Sequence, residues 1–342
     1  MGKSADSLLF ALSESLPLGV QIGRECGLDV APLEERDFED GEFKLRPLVS
    51  VRDRRVFLVQ TLAPGAGVSI AQRLVRLLFL ICGMRGAGAT HISAIVPYLA
   101  YARKDRRTQP RDPVTSRYVA QLLEAAGLDH LIALDAHNPA ALDNAFRIPV
   151  DHLSALPLFA THFARRLGAG DPGVAGSGAR SLAVASPDVG GIKRAQLFKE
   201  ALARETGREI DLIFVEKRRA AGHVSGGAIV GQAADRDVIV VDDLCASGGT
   251  LIRAAETLRA AGAAAVHVAF THAPSAKGVD AVLADERIAS AVTTDSAGPM
   301  HQGNVGLKLT TLPVGPLFGA VIGRILRGEP VSPLLLGAPP VS

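Results

Sequence analysis

Val238-Ile239-Val240-Val241-Asp242-Asp243-Leu244-Cys245-Ala246-Ser247-Gly248-Gly249-Thr250 is the stretch whose reading decides the fold. The apolar run 238–241 reads as a buried strand that ends in two carboxylates. A tight Ser-Gly-Gly-Thr turn follows, and a helix is expected from Leu251. Glycines let backbone N–H groups converge on an anion, and a helix N-terminus adds partial positive charge. Ser247 and Thr250 add hydroxyl donors. Asp242 and Asp243 cannot bind phosphate. Their chemistry suits sugar hydroxyls or a metal ion, and two consecutive acids at a strand end are costly without ligands. The segment reads as a site for a phosphorylated sugar.

The same grammar of short apolar strand, turn and longer amphipathic helix extends in both directions. Strands are expected over 56–60, 91–98, 131–135, 181–186, 212–216, 238–242 and 265–271. Helices are expected over 70–82 (closed by Gly83), 113–126 (closed by Gly127), 192–205, 251–261 (closed by Gly262) and 316–326. Alternation of this kind means βαβ units and a mostly parallel sheet. The order of elements restarts after about residue 153, which points to a duplicated α/β unit. Between the halves, 152–167 reads as a further helix closed by Gly168, and the Gly/Ser/Pro-rich stretch 169–178 as a flexible loop. The Pro-rich tail from Pro333 is expected to fray.

Composition narrows the function classes. The chain has 342 residues, 48% hydrophobic and 21% charged, as in ordinary globular proteins. Its 37 Lys+Arg against 35 Asp+Glu leave a net charge of +2, so any anion site must be local. Aromatic residues are 4% and Trp is absent, which speaks against stacking platforms for single-stranded nucleic acid. Cys26, Cys82 and Cys245 form no CxxC pair, as expected of a reducing cytosol rather than a disulfide framework or zinc site. The run 8–12 is too short for a signal segment. Asp6 occupies the place where a myristoylation motif wants Ser or Thr. The longest apolar stretch, 77–84, cannot span a bilayer. A soluble cytoplasmic protein with no nucleic-acid or membrane partner is expected.

The sugar-phosphate segment resembles the phosphoribosyl-pyrophosphate (PRPP) loop of type I phosphoribosyltransferases and of ribose-phosphate pyrophosphokinases (PRPP synthetases). Five further segments resemble the second family, in its order and at similar spacing. They are Phe38-Glu39-Asp40-Gly41-Glu42, Tyr101-Ala102-Arg103-Lys104-Asp105-Arg106-Arg107, Asp135-Ala136-His137, Ser186-Pro187-Asp188-Val189-Gly190-Gly191 and Glu216-Lys217-Arg218-Arg219. The resemblance implies an α/β fold of two tandem type I phosphoribosyltransferase-like domains, each a mostly parallel sheet flanked by helices. The expected boundaries are 1–152 for an ATP-side domain, 153–315 for the domain with the ribose-phosphate loop, and 316–342 for a closing helix and tail.

The resemblance also implies a division of labour. Phe38, Asp40, Gly41 and Glu42 would hold the adenine of ATP, contributed by a neighbouring subunit. A homo-oligomer follows, with a dimer-built hexamer as its expected size. Arg103, Lys104 and Arg106 would contact the ATP phosphates, where guanidinium forks suit phosphate oxygens. His137 and Asp188 would lie near Mg²⁺. Lys217 and Arg219, ahead of a loop at 220–223, would stabilise charge on the transferred group, with Arg219 also touching substrate. Asp242, Asp243 and the turn Ala246, Ser247, Gly248, Gly249, Thr250 would bind ribose 5-phosphate. His223 reads as loop surface and Cys245 as an inert small side chain.

Three departures stand out. Lys104 replaces the usual Gln and Ser247 the usual Thr, each keeping a donor. Ala246 replaces an Asp near the ribose. The expected reaction transfers the diphosphate of ATP to the C1 hydroxyl of ribose 5-phosphate, giving PRPP and AMP. Two alternatives stay open at this stage: a transferase that consumes PRPP with a base, and a weakened or altered-substrate homologue with a regulatory role.

Overall fold

The computed structural model describes residues 6–65, 67–167, 180–216, 219–220, 223–224, 228–298 and 308–335. For 216, 219–220, 223–224 and 228 it describes the backbone alone. The chain divides into two compact units: Met1–Ser154 with Ser296–Gly298 and Pro313–Ser342, and Ala155–Asp295 with Pro299–Leu312. No helix of the described residues is long and apolar enough to cross a membrane.

The first unit opens with β1 (Ser7–Ala11), α1 (Leu16–Cys26), β2 (Leu33–Asp37), β3 (Phe43–Pro47), β4 (Arg55–Val59) and α2 (Ile70–Gly86). It continues with β5 (His91–Val96), α3 (Thr115–Ala125), β6 (His130–Leu134), α4 (Pro139–Ala145) and β7 (Val150–Leu153). Its main sheet runs β1-β4-β5-β6-β7, all parallel. Val56 and Leu58 point into one apolar layer with Leu77, Leu80, Ile81 and Met84 of α2. Phe57 and Val59, offset by one, are fully buried too, so both faces of the sheet are covered, as in other parallel sheets. β2 and β3 form a separate antiparallel hairpin.

In the second unit α5 (Leu156–Leu167) is followed by β8 (Leu182–Ser186), α6 (Ile192–Thr206) and β9 (Asp211–Glu216). Next come β10 (Arg219–Ala220), β11 (His223–Val224), β12 (Ala228–Val230), β13 (Asp237–Leu244) and α7 (Gly249–Ala260). The unit ends with β14 (Ala265–His272), α8 (Ala276–Ala284), β15 (Ser290–Thr294) and β16 (Leu309–Leu312). Its large sheet runs β12-β9-β8-β13-β14-β15-β16, parallel except for β12. The chain leaves β8 for β9 on one side and returns through β13 on the other. Such a reversal opens a crevice at the carboxyl ends of β8 and β13, where open α/β sheets bind ligands.

The units share one topology. In the first, Leu9 of β1 bridges Val30 in parallel on one side and pairs with β4 on the other. In the second, β8 pairs with β9 and β13 in the same way. Each unit also inserts an antiparallel strand pair at the same place, β2–β3 in one and β10–β11 in the other. The fold is thus α/β with two units of one topology, and the duplication lies in topology rather than in residue identity.

Several expected boundaries move. Helix α2 passes through Gly83 to Gly86, because Met84 continues the buried stripe and Gly83 lies on an exposed face. Its start is a capping box: Ser69 N donates to Gln72 Oε1 at 2.8 Å, and Gln72 N to Ser69 Oγ at 3.2 Å. His152, read as the start of a helix, belongs to edge strand β7; the helix begins at Leu156. The closing helix α9 (Gly315–Arg327) belongs to the first unit, not to the half it follows in sequence. A Cβ on Gly315 or Gly319 would lie 2.4 Å from the Cβ of Gln21 or Glu25, so α9 meets α1 at glycine distance. Of the tail, Leu335 makes a single antiparallel bridge to Leu153. Gly168 and the stretch 169–178 lie outside the described residues.

Candidate functional site

At the crevice of the second unit, β13 runs two residues beyond its expected end. Asp242 pairs with Phe270 and Leu244 with His272 on β14, so both acids sit on the sheet itself. The side chains of Asp242 and Asp243 are only 16% and 7% exposed. Both are held by one guanidinium: Arg194 NH1, from the first turn of α6, lies 3.4 Å from Asp242 Oδ1 and 3.3 Å from Asp243 Oδ1. Burial first, then the charge of Asp243, pushes the Asp242 carboxyl up to about 8, against the pull of Arg194.

The sign of the resulting pH dependence follows from linkage. The folded chain binds the Asp242 proton more tightly than the unfolded chain, whose carboxyl titrates near ~3.9. Ligand-free stability therefore falls as pH rises from about 4 to about 8, and the full penalty applies above that window. Asp242→Asn removes the ionisation. By urea unfolding it is expected to exceed wild type by about 2–4 kcal/mol at pH 9 and to match it within about 1 kcal/mol near pH 4.5. Equal offsets at both pH values would contradict a buried, proton-hungry Asp242.

The turn after β13 is shorter than expected, because the helix that follows it begins two residues early. Helix α7 begins at Gly249, not Leu251, so Gly249 and Thr250 are in its first turn with N–H groups that have no intrahelical partner. Gly248 is left-handed at φ +76°. A Cβ there would lie 2.6 Å from the carbonyl oxygen of Gly278 on α8, so the loop rests directly on that helix. Ser247 is exposed, while Ala246 and Thr250 are half-buried. Cys245 is 1% exposed, and burial with the Asp242 charge pushes its thiol up to about 12. Burial and a raised thiol both disfavour a reactive thiolate, which is consistent with the expected small packing side chain.

Asp188 stands at the neighbouring exit, after β8. Its side chain accepts the Gly191 N–H at 3.2 Å and caps the short turn before α6, and its carbonyl accepts from Ser186 Oγ at 2.6 Å. Among the described residues no three His, Cys, Asp or Glu side chains form a group that could hold a metal ion. A divalent ion here would take most of its ligands from water and substrate oxygens, which is how Mg²⁺ is usually held. A partly committed carboxylate such as Asp188 fits that arrangement. Lys217 lies outside the described residues. Arg219, described by its backbone, pairs in β10 with Val224, and Ala220 pairs with His223. Ala220 and His223, expected in a loop, are therefore strand residues.

The first unit carries the other expected groups on three features. The β2–β3 turn holds Phe38, Asp40, Gly41 and Glu42, all exposed. It is closed by Phe38 N to Glu42 O at 2.9 Å and Glu42 N to Asp40 Oδ1 at 3.0 Å, with Gly41 at φ +90°. Arg36 lies 5.1 Å from the Phe38 ring centroid, a cation–π contact. Buried Arg76 of α2 pairs with Asp37 and lies 3.7 Å from Glu35, which ties the hairpin to the helix.

The second feature is the loop after β5. Arg103, Lys104, Arg106 and Arg107 lie well past the strand end at Val96, not on it. All four side chains are exposed, and none is in an ion pair among the described residues. Asp105 is turned away from them, accepting from Asn138 Nδ2 at 2.7 Å. The Lys104 carbonyl accepts Ser116 N at 3.2 Å and Ser116 Oγ at 3.1 Å, stitching the loop to α3. Four exposed cations with no ion pair among the described residues suit a polyanion, although the Lys104 charge, after the hydrogen bond from the Thr108 hydroxyl, also helps hold the Asp112 carboxyl below its usual range.

The third feature is the turn after β6. Asp135 is strained at φ +36°, a conformation that costs on the order of 1–3 kcal/mol for a residue with a side chain. His137 is exposed two residues on, and Asn138 caps α4 by accepting from Ala141 N at 3.3 Å. The Asn138–Asp105 bond therefore joins the His137 turn to the cationic loop.

Sequence reasoning missed Arg194 and Asn138. A signal for Arg194 existed: a cation in the first turn of a helix opposes the helix dipole and needs a nearby acid. Asn138 sits immediately before Pro139, a helix-start pattern that was readable but not used.

The family model for the N-terminal domain of ribose phosphate pyrophosphokinase matches residues 7–127, and that for the phosphoribosyl transferase domain matches 176–297. A ribose-phosphate pyrophosphokinase of Caldanaerobacter subterraneus subsp. tengcongensis is 34% identical over 338 residues, 98% of this chain and 99% of that protein. Ribose-phosphate pyrophosphokinase 1 of Streptococcus pneumoniae is 31% identical over 333 residues, 96% of this chain and 97% of that protein. The crystal structure of phosphoribosylpyrophosphate synthetase from Mycobacterium smegmatis superposes with a TM-score of 0.82 at 28% identity, covering 95% of this chain and 100% of that chain.

Proposed function

The chain belongs to the ribose-phosphate pyrophosphokinase family, and from that premise we propose that it makes PRPP and AMP from ATP and ribose 5-phosphate. The C1 hydroxyl oxygen of the sugar attacks the β-phosphorus of ATP. The bond from that phosphorus to the α–β bridging oxygen breaks, AMP leaves with the oxygen, and the hydroxyl proton passes to solvent.

The observation that carries this reading is the arrangement on β13 and α7. Two carboxylates clamped by Arg194 stand before a glycine turn that opens α7, whose first-turn N–H groups have no intrahelical partner. Asp242 and Asp243 accept from ribose hydroxyls. Ala246, Ser247, Gly248, Gly249 and Thr250 wrap the 5-phosphate. Arg103, Lys104 and Arg106 neutralise the triphosphate, and their exposure with no ion pair among the described residues supports that role. Phe38 stacks on adenine, with Asp40, Gly41 and Glu42 around its polar edge. As in the resemblance, this hairpin serves a neighbouring copy, so the working form is a homo-oligomer.

Lys217 and Arg219 place positive charge on the equatorial oxygens of the group in flight, with Arg219 also holding substrate. Transfer of this kind depends on positioning and electrostatics rather than covalent catalysis. His137 and Asp188 are the residues that would hold Mg²⁺, which when bound neutralises the phosphates. The expected location is the cytoplasm, where Cys26, Cys82 and Cys245 stay as thiols.

The test is AMP release from ATP and Mg²⁺ by the purified chain, with and without ribose 5-phosphate, alongside Ala246→Asp. AMP release by the wild type that depends strictly on ribose 5-phosphate is expected. Pyrophosphate release that depends on a base, without AMP, would instead mark a transferase. Release by Ala246→Asp alone would mark a chain whose missing carboxylate has redirected or silenced the reaction.

A further inference from the structure

The turn that carries His137 is held from beneath by a second histidine. β6 and β7 pair through Leu134 and Leu153, and Asp135 N still donates to Leu153 O at 2.9 Å. At Asp135 the backbone flips into the left-handed region, φ +36°, and leaves the ladder. The next amide, Ala136 N–H, has then lost its strand partner while Ala136 is only 6% exposed. A buried donor in that position needs an acceptor. The acceptor is the Nε2 of His152, 2.8 Å away, from a side chain 7% exposed on edge strand β7.

We infer that His152 is a positioning residue that fixes the Asp135–His137 turn, and with it the His137 imidazole, through the Ala136 amide. The backbone N–H can only donate, so Nε2 must carry the lone pair and the ring proton must sit on Nδ1. The turn is then pinned at two points, by His152 before His137 and by the Asn138–Asp105 bond after it. His137 is the one exposed side chain between them. A ligand held mainly through water needs its protein contact pre-placed, because misplacement of about 1 Å is enough to cost turnover heavily. This inference rests on the proposed reaction for its kinetic consequence, but not for its structural one.

Two readouts separate the two. Imidazole ¹⁵N spectra of the wild-type protein are expected to show His152 in the Nδ1–H form, and the Ala136 amide to exchange slowly. An Nε2–H tautomer for His152 overturns the inference whatever the activity. In the AMP-release assay, His152→Leu is expected to lower kcat by about tenfold or more and to raise the Mg²⁺ concentration needed for half-maximal rate. Its KM for ribose 5-phosphate should stay within about twofold, since that sugar belongs to the other unit. His152→Gln, whose Oε1 can stand in for Nε2, should recover most of the rate. A folded His152→Leu with wild-type kinetics, or a folded His152→Gln as slow as the Leu variant, overturns the positioning role. A wild type that releases no AMP overturns the proposed reaction and leaves the tautomer test standing.

Discussion

Replacing Arg194 by leucine is expected to cut AMP release by about 100-fold or more and to lower stability at pH 8 by about 3–5 kcal/mol. Arg194 is the shared counter-ion of two carboxylates buried on β13. Removing one partner from such a cluster leaves uncompensated charge in a low dielectric, which costs more than the intact cluster contributes. Without Arg194 the acids must hold protons to still higher pH than the intact site, where Asp242 is already raised to about 8, and a protonated Asp242 is a poorer acceptor for a sugar hydroxyl. Arg194→Lys supplies one compact charge in place of a guanidinium and should recover stability better than turnover. Thermal unfolding and steady-state kinetics on the same preparations decide it. If Arg194→Leu kept wild-type stability and rate, the clamp would have no role in the site.

Gly278→Val is expected to weaken ribose 5-phosphate binding by about 10–100-fold and to destabilise the second unit by about 1–3 kcal/mol. A Cβ at Gly278 would lie 2.3 Å from the Ala246 carbonyl oxygen, 2.7 Å from its carbon and 3.1 Å from Ser247 N. All three are backbone atoms, so no rotamer change relieves the clash. The loop between β13 and α7 must shift, and with it the N–H groups of the first turn of α7. Gly83→Ala is the control: nothing lies within 4 Å of its added Cβ. KM for ribose 5-phosphate together with urea unfolding reads both effects. An unchanged KM in the folded Val variant would show that the phosphate cradle is not built on α8.

Local patterns made much of this legible. Val238–Val241 and Val56–Leu58 are apolar runs whose length and β-branching need no partner to be recognised. The Ser247–Thr250 turn announces itself because glycines there permit a conformation that other residues resist. The same cue misplaced the start of α7, since Gly249 reads as turn and behaves as helix. Asp242 and Asp243 read as the end of a strand because they are charged, yet pairing with β14 carries the strand to Leu244. His152 read as helix for a similar reason. Its apolar neighbours fit either period, and only the register with β6 places it on an edge strand.

The sequence by itself determined the α/β class, the tandem organisation, and the residue types gathered at each strand end. Those depend on periodicity and on short-range stereochemistry, which act within one element or one turn. Tertiary structure decided which residues meet: Arg194 with Asp242 and Asp243, Gly278 with Ala246, His152 with the Ala136 amide, and α9 with α1 of the first unit. Each joins positions far apart in the chain. Such contacts come from burying polar groups with partners and from close packing of backbones, and neither leaves a periodic trace in a single sequence.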